Sequence, residues 1–267
     1  MKDPLAIFTI VQNEPVWLPV WMKHYRSQLD AAHLYILDHD SDGEGAALLD
    51  ELKRAGVNVV PVHRRVSFDH SWLAETVERF QRFLLSSYEA VLFVEIDEIV
   101  ATAPGSQYAG LGDYAEVVLD RRHKFVRCAG FEVVHKPEEE PPLDWTQPLL
   151  KQRKWWYASE KYSKPLLSRM PLSWRKGFHR TSNVRVRSRQ IDQDLLLIHL
   201  HKLDFDYCVR RHEETASRDW MRPDGKTGSQ NRMVGSDDVR AWFRRSIDDD
   251  KKEAELVAIP AEIQTII

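Results

Sequence analysis

The chain has 267 residues, enough for one large domain or two small ones, and its net charge of −3 excludes the basic excess expected of a nucleic-acid-binding protein. Hydrophobic residues make up 43% and charged residues 30%, the balance of an ordinary globular chain. No apolar run approaches ~20 residues, so no transmembrane helix is expected. "MKDPLAIFTIVQNEP" leads almost directly into a strand, and Asp3 and Pro4 interrupt any signal-peptide core. The expected location is the cytoplasm, with contact to a membrane surface as a further expectation.

The first half alternates strand and helix. "LAIFTIV" reads as an apolar strand, and "EPVWLPVWMKHYRSQL" as a helix with Pro15 suited to its first turn. Trp17, Leu18, Trp21, Tyr25 and Leu29 recur at helical spacing, which assigns these tryptophans to the core. "HLYILD" is a second strand, and "GAALLDELKRAG" a helix stopped at Gly56. "VNVVPV" is a third strand. "SWLAETVERFQRFLLSSY" follows as a helix with Leu73, Val77, Phe80 and Leu84 on one face. "AVLFVEIDEIV" reads as a fourth strand that breaks into charge. This alternation predicts an α/β fold with a mixed, mainly parallel sheet flanked by helices.

After residue 100 the pattern loosens. "TAPGSQYAGLGDY" reads as a loop. Its "GLG" lacks the preceding strand and the third glycine of a dinucleotide fingerprint. "KFVRCAGFEVVH" and "LLLIHLHKL" read as strands, with an acidic, proline-rich loop between them. A helix is expected from about Asp204, followed by a charged helical tail. The expected division is residues 1–200 as the ligand-binding and catalytic domain and 201–267 as a helical extension packed on it. Cys128 and Cys208 have no metal-ligand spacing and are expected to be free thiols.

In open α/β sheets ligands gather at the carboxyl ends of the strands. Those ends carry Gln12, Asn13 and Glu14, then Asp38, His39 and Asp40, then Glu95, Asp97 and Glu98. "DHDSDG" imitates the first half of a calcium loop, but Leu49 stands where that loop needs a bidentate glutamate. Carboxylates after apolar strands instead suit a hard divalent cation, manganese or magnesium, that bridges phosphate oxygens. Residues 151–189 hold twelve Lys and Arg against the single acid Glu160, interleaved with aromatics. That segment is expected to offer cations to phosphate and a surface for peripheral membrane contact.

The stretch "IVQNEPVWLPVWMKHYRSQL…HLYILDHDSDG…FVEIDEIV" resembles the family 2-like glycosyltransferases of the GT-A fold. Its nearest likeness is to the subgroup with a "KNE" motif followed by "LxEWxxYH", an Asp-Asn-Asp-Ser run, and "DxDEF". The resemblance covers residues 5 to about 100 and extends weakly over "KPLLSRMPLSWRKGFH" and "LLLIHLHKLDFDY". It implies a GT-A-like sheet, a nucleotide-sugar donor, a glycan or lipid-linked acceptor, and no nucleic acid. It implies that Val11, Asn13 and Glu14 line the base and ribose pocket and that Asp38 and Asp40 hydrogen-bond the nucleotide. Asp97 matches the metal-binding aspartate, and Glu98 the acid after it. Glu95 replaces the first aspartate of that motif and is one methylene longer. His199 resembles the late histidine, a third metal ligand or a diphosphate contact. Lys164 and His179 stand as contacts to phosphate or acceptor.

Inversion at the sugar needs a base near the acceptor hydroxyl. Glu132 is the expected residue, with Asp192 and Asp194 as alternatives. Two rivals remain: a haloacid-dehalogenase-like phosphatase built on "LYILDHDSDG", and a nucleic-acid-binding module built on the basic aromatic segment.

Overall fold

The computed structural model describes residues 2–63, 69–118, 124–184, 190–217, 219–221, 227–229, 236–248 and 255–267. In chain order the first elements are β1 (Asp3–Val11), α1 (Trp17–Arg26), β2 (Leu34–Asp38), α2 (Gly43–Arg54), β3 (Asn58–Pro61), α3 (His70–Leu84), β4 (Tyr88–Phe93), β5 (Glu98–Thr102) and α4 (Leu111–Val118). They are followed by β6 (Phe125–Val134), β7 (Trp155–Ala158), β8 (Pro165–Ser168), β9 (Asp192–Lys202), α5 (Phe205–Ala216), β10 (Asp219–Met221), β11 (Thr227–Ser229), α6 (Ser236–Asp248) and β12 (Val257–Ala258). The chain forms two units. The first comprises Met1–Arg64, His70–Ala129 and Ser163–Leu197, and the second Arg65–Asp69, Gly130–Tyr162 and Ile198–Ile267.

The first unit is an α/β layer structure. Its parallel strands run in the order β3-β2-β1-β4, with Phe8 of β1 beside both Tyr35 of β2 and Phe93 of β4. Leu5, Ala6, Ile7 and Phe8 are fully buried, as a central parallel strand covered on both faces requires. β8 joins β4 antiparallel, and the first half of β6 joins β8, so the sheet is mixed but mainly parallel. α1 buries Trp17, Leu18, Trp21 and Tyr25, and α3 buries Leu73, Val77 and Leu84, the apolar faces expected from their spacing. Gly56 adopts φ +88° just past α2 and stops that helix.

Two elements differ from expectation. "AVLFVEIDEIV" is two strands, because the chain turns between them and the Glu98 N–H donates to the Glu95 carbonyl at 3.1 Å. The expected loop before residue 114 contains the start of α4. Its Asp113 carboxylate accepts from the Ala109 N–H at 3.0 Å, and Leu111, Tyr114 and Ala115 form a buried face.

In the second unit Phe131–Val134 of β6 pairs antiparallel with β7, which pairs with β12. Val134, Tyr157, Phe205, Cys208, Val239 and Phe243 share one core with the partly buried Trp242. Asp204 caps α5 by accepting from the Tyr207 N–H at 2.9 Å. The buried guanidinium of Arg153 bonds Asp204 at 3.2 Å and the Leu203 carbonyl at 2.5 Å. One boundary falls between Leu197 and Ile198, near residue 200, and residues 130–162 also group with the C-terminal part. They do so because β6, β7, α5 and α6 bury one set of apolar side chains.

Candidate functional site

A sheet ordered β3-β2-β1-β4 reverses direction of progress between β1 and β4. In open sheets the carboxyl ends on either side of such a reversal are the usual ligand position. The first unit brings Val11, Asn13, Glu14, Asp38 and Asp40 to the ends of β1 and β2, and Glu95 and Asp97 to the turn after β4.

The loops after β1 and β2 are tied together by their own polar groups. Val11 pairs in register with Asp38, and the His39 N–H donates to the Val11 carbonyl at 2.8 Å. Asn13, held at φ +53°, donates its amide to the Asp42 carboxylate at 2.8 Å and accepts from the Asp42 N–H at 2.8 Å. Asp38 accepts from the Ser41 N–H at 2.9 Å. Asp40, also at positive φ (+55°), contacts His63 at 2.5 Å on an exposed surface. Gly45 in α2 is needed here. A Cβ at that position would stand 2.9 Å from Asn13 Oδ1 and 3.1 Å from its Cα. Asn13 and Asp38 therefore hold the loops after β1 and β2 in shape.

The turn after β4 is an acidic knot around one lysine. Glu98 is fully buried, and its two oxygens accept from the Glu95 N–H at 2.9 Å and from Lys164 Nζ at 2.6 Å. Glu95 is partly exposed and lies 3.5 Å from the same ammonium. Burial opposes the charge on Lys164, but Glu98 and Glu95 outweigh it and hold its pKa above the ordinary lysine value. Asp97, half-buried, occupies the middle of this turn. Tyr25 of α1 fastens the start of β5. Its hydroxyl donates to the Glu98 carbonyl at 3.2 Å and accepts from the Val100 N–H at 2.8 Å. The histidine and tyrosine of "MKHY" thus serve the acidic turn, since His24 also bonds the Val100 carbonyl at 2.8 Å.

A tight hairpin covers the end of β4. Trp174 and Thr181 form an antiparallel bridge, and Gly177 (φ +74°) and Phe178 (φ +52°) turn the chain in the left-handed region. Phe178 packs on Phe93 with ring centres 4.9 Å apart, and Trp174 packs on Phe93 at 5.9 Å. His179, half-buried, follows directly in this hairpin.

The second unit holds Glu132 and His199. Glu132 is 2% exposed and its carboxylate meets His199 Nδ1 at 2.8 Å, while the His199 ring stacks on Tyr162 at 3.9 Å. Burial opposes ionisation of Glu132, yet His199, Lys202 and His201 outweigh it and keep its pKa below the usual carboxylate value. A carboxylate this buried orients its histidine, and any reach to a ligand passes through His199. Tyr162 and His201 were not expected. The pattern "HLH" in a strand places alternate histidines on one face, and the two rings stack 5.8 Å apart at 9°.

The basic segment 151–189 is divided between the two units. Residues up to Tyr162 belong to the second unit and those from Ser163 to the first. Arg153 and Lys164 are buried in ion pairs, Arg169 pairs with Glu89, and Arg185, Arg187 and Arg189 lie outside the described residues. Arg153 and Lys164 are thereby taken up inside their units, and the expected membrane contact rests on the remaining basic residues of the segment. Among the described residues no helix is long and apolar enough to cross a membrane. The expected free thiols are found as such, with Cys128 and Cys208 both buried.

No protein-family model matches the chain, and no curated protein matches it. Two solved structures are similar to part of the chain. One is the mannosyltransferase PcManGT from Pyrobaculum calidifontis in complex with GDP-Man and Mn2+, at 14% identity and TM-score 0.34, covering 52% of this chain and 37% of that one. The other is TarS 1–349 of S. aureus, at 13% identity and TM-score 0.35, covering 57% of this chain and 40% of that one. The chain thus aligns with two fifths or less of the length of either structure.

Proposed function

We propose that this chain is a glycosyltransferase that binds a nucleotide-linked sugar at the carboxyl ends of β1 and β4 and passes the glycosyl group to an acceptor hydroxyl. The observation that carries this reading is the placement of Glu95 and Asp97 at the exit of β4, beside the end of β1, where the strand order reverses. The three sequence motifs that resemble the family 2-like enzymes fall on the ends of β1, β2 and β4. A glycan or lipid-linked acceptor and a role in polysaccharide or glycoconjugate synthesis complete the proposal.

The donor set suits a hard divalent cation such as manganese or magnesium, because it consists of carboxylate oxygens. Asp97 would be the principal ligand, since Glu95 shares Lys164 with Glu98. Such an ion supplies charge neutralisation to a diphosphate leaving group. The chain's own part is to hold that position fixed. Glu98, Lys164 and Tyr25 pin the turn, and Asn13 and Asp42 pin the facing loop, so little reorganisation is needed when a ligand arrives.

Titration calorimetry with UDP, GDP, CMP and TDP sugars, each with and without manganese, tests the reading. A folded Asp97→Asn variant is expected to lose manganese-dependent nucleotide binding, and unchanged binding refutes the metal role. Loss of small-phosphoester hydrolysis in Asp38→Ala would instead support a phosphatase.

A further inference from the structure

The second unit holds a cluster formed by His201, Cys208 and His212. His201 closes β9, and Cys208 and His212 stand one turn apart on α5, which begins four residues later. One ligand atom from each lies within 4.8 Å of the other two. The two imidazoles approach through their Nε2 atoms at 3.2 Å. Cys208 and His212 are 1% and 4% exposed, and His201 is half-buried. In a tetrahedral zinc site, bond lengths of about 2.0–2.1 Å to nitrogen and about 2.3 Å to sulfur separate the nitrogens by about 3.3 Å and sulfur from nitrogen by about 3.6 Å. The nitrogen pair already has that spacing, and the thiol needs to move by roughly 1 Å at most.

We propose that His201, Cys208 and His212 bind one zinc ion, with water in the fourth position. Thiolate and imidazole are the ligands that zinc favours, whereas the ion at the carboxylate turn of the first unit would be held by oxygen. Binding releases the Cys208 thiol proton to solvent, and the imidazole that carries the proton between the two Nε2 atoms binds as its Nδ1–H tautomer. The ion fastens the end of β9 to the second turn of α5 across the corner at Lys202–Asp204. Trp242 of α6 packs edge-on against His201 at 5.8 Å and lies 5.2 Å from His212, so it closes one side of the site.

The test is made on the full chain after treatment with a chelator and removal of it. Zinc is added, and bound metal is counted by mass spectrometry. Cobalt is then used as a coloured substitute. One zinc per chain is expected, with a thiolate-to-cobalt charge-transfer band in the near ultraviolet. The band reports Cys208 because the only other cysteine is Cys128, whose thiol burial pushes up to about 12. Cys208→Ser should abolish the band, and His212→Asn should weaken zinc by about 100-fold or more. Should either variant fail to fold, the parent cobalt spectrum and the more exposed His201→Gln decide. A parent protein without the band overturns the proposal and leaves a histidine–histidine hydrogen bond beside an apolar thiol. A band that survives Cys208→Ser overturns it equally. Asp97→Asn should leave the band intact, which separates this site from failure of the donor site.

Discussion

Replacing Lys164 by methionine keeps the apolar stem and removes the ammonium. In the folded chain Glu98 would then hold an ionised carboxylate at 0% exposure, with the Glu95 N–H as its recorded remaining donor. Breaking a buried pair by removing one partner costs about 3–5 kcal/mol, because the survivor cannot reach water. At about 2–4 °C per kcal/mol for a chain of this class, the melting temperature should fall by roughly 6–20 °C. Lys164→Met combined with Glu98→Gln should recover most of the loss, since a neutral amide oxygen still accepts from Glu95. Urea unfolding of the parent, both single variants and the double variant gives the coupling directly. The pH dependence has a definite sign. The Lys164 pKa is raised on folding, so the contribution is complete below the ordinary value of 10.5 and is lost as pH climbs through the raised one. The loss of stability that the parent shows as pH rises through that value should therefore be absent from Lys164→Met. The reasoning is refuted if Lys164→Met melts within about 2 °C of the parent and loses nucleotide-sugar affinity. Lys164 would then serve phosphate, as its position in the sequence suggested.

Gly45→Ala should push α2 away from the β1 loop, because the new Cβ meets Asn13 at 2.9 Å. Overpacking of this kind costs about 1–3 kcal/mol, and calorimetry should show weaker donor binding; a neutral variant would mean the loop yields freely. Glu132→Gln should destabilise the second unit by about 1–3 kcal/mol at neutral pH by weakening the charged hydrogen bond to His199. The Glu132 pKa is depressed on folding, so its contribution is present above 4.5 and disappears as pH falls through the lower folded value. Melting curves from pH 7 to pH 3 should therefore converge for parent and variant, and a constant gap would contradict the assignment.

The parallel half of the fold was readable from local pattern. Apolar runs in β1, β2 and β4 and the helical spacing of Trp17, Trp21, Leu73 and Val77 each encode burial within a few residues, and the structure buries them so. The strand-end positions of Asn13, Asp38 and Asp97 followed from the same pattern. What those side chains do was decided by contacts distant in sequence. Lys164 lies 66 residues from Glu98, and Glu132 lies 67 from His199. A lysine in a basic run and a glutamate in a strand look solvent-facing, and only the packed interior turns each into half of a buried pair. The division into units was likewise invisible locally, because β6 and β9 are continuous strands that pass from one core to the other. Periodicity reports which face of an element is buried, and only tertiary packing determines which core receives it.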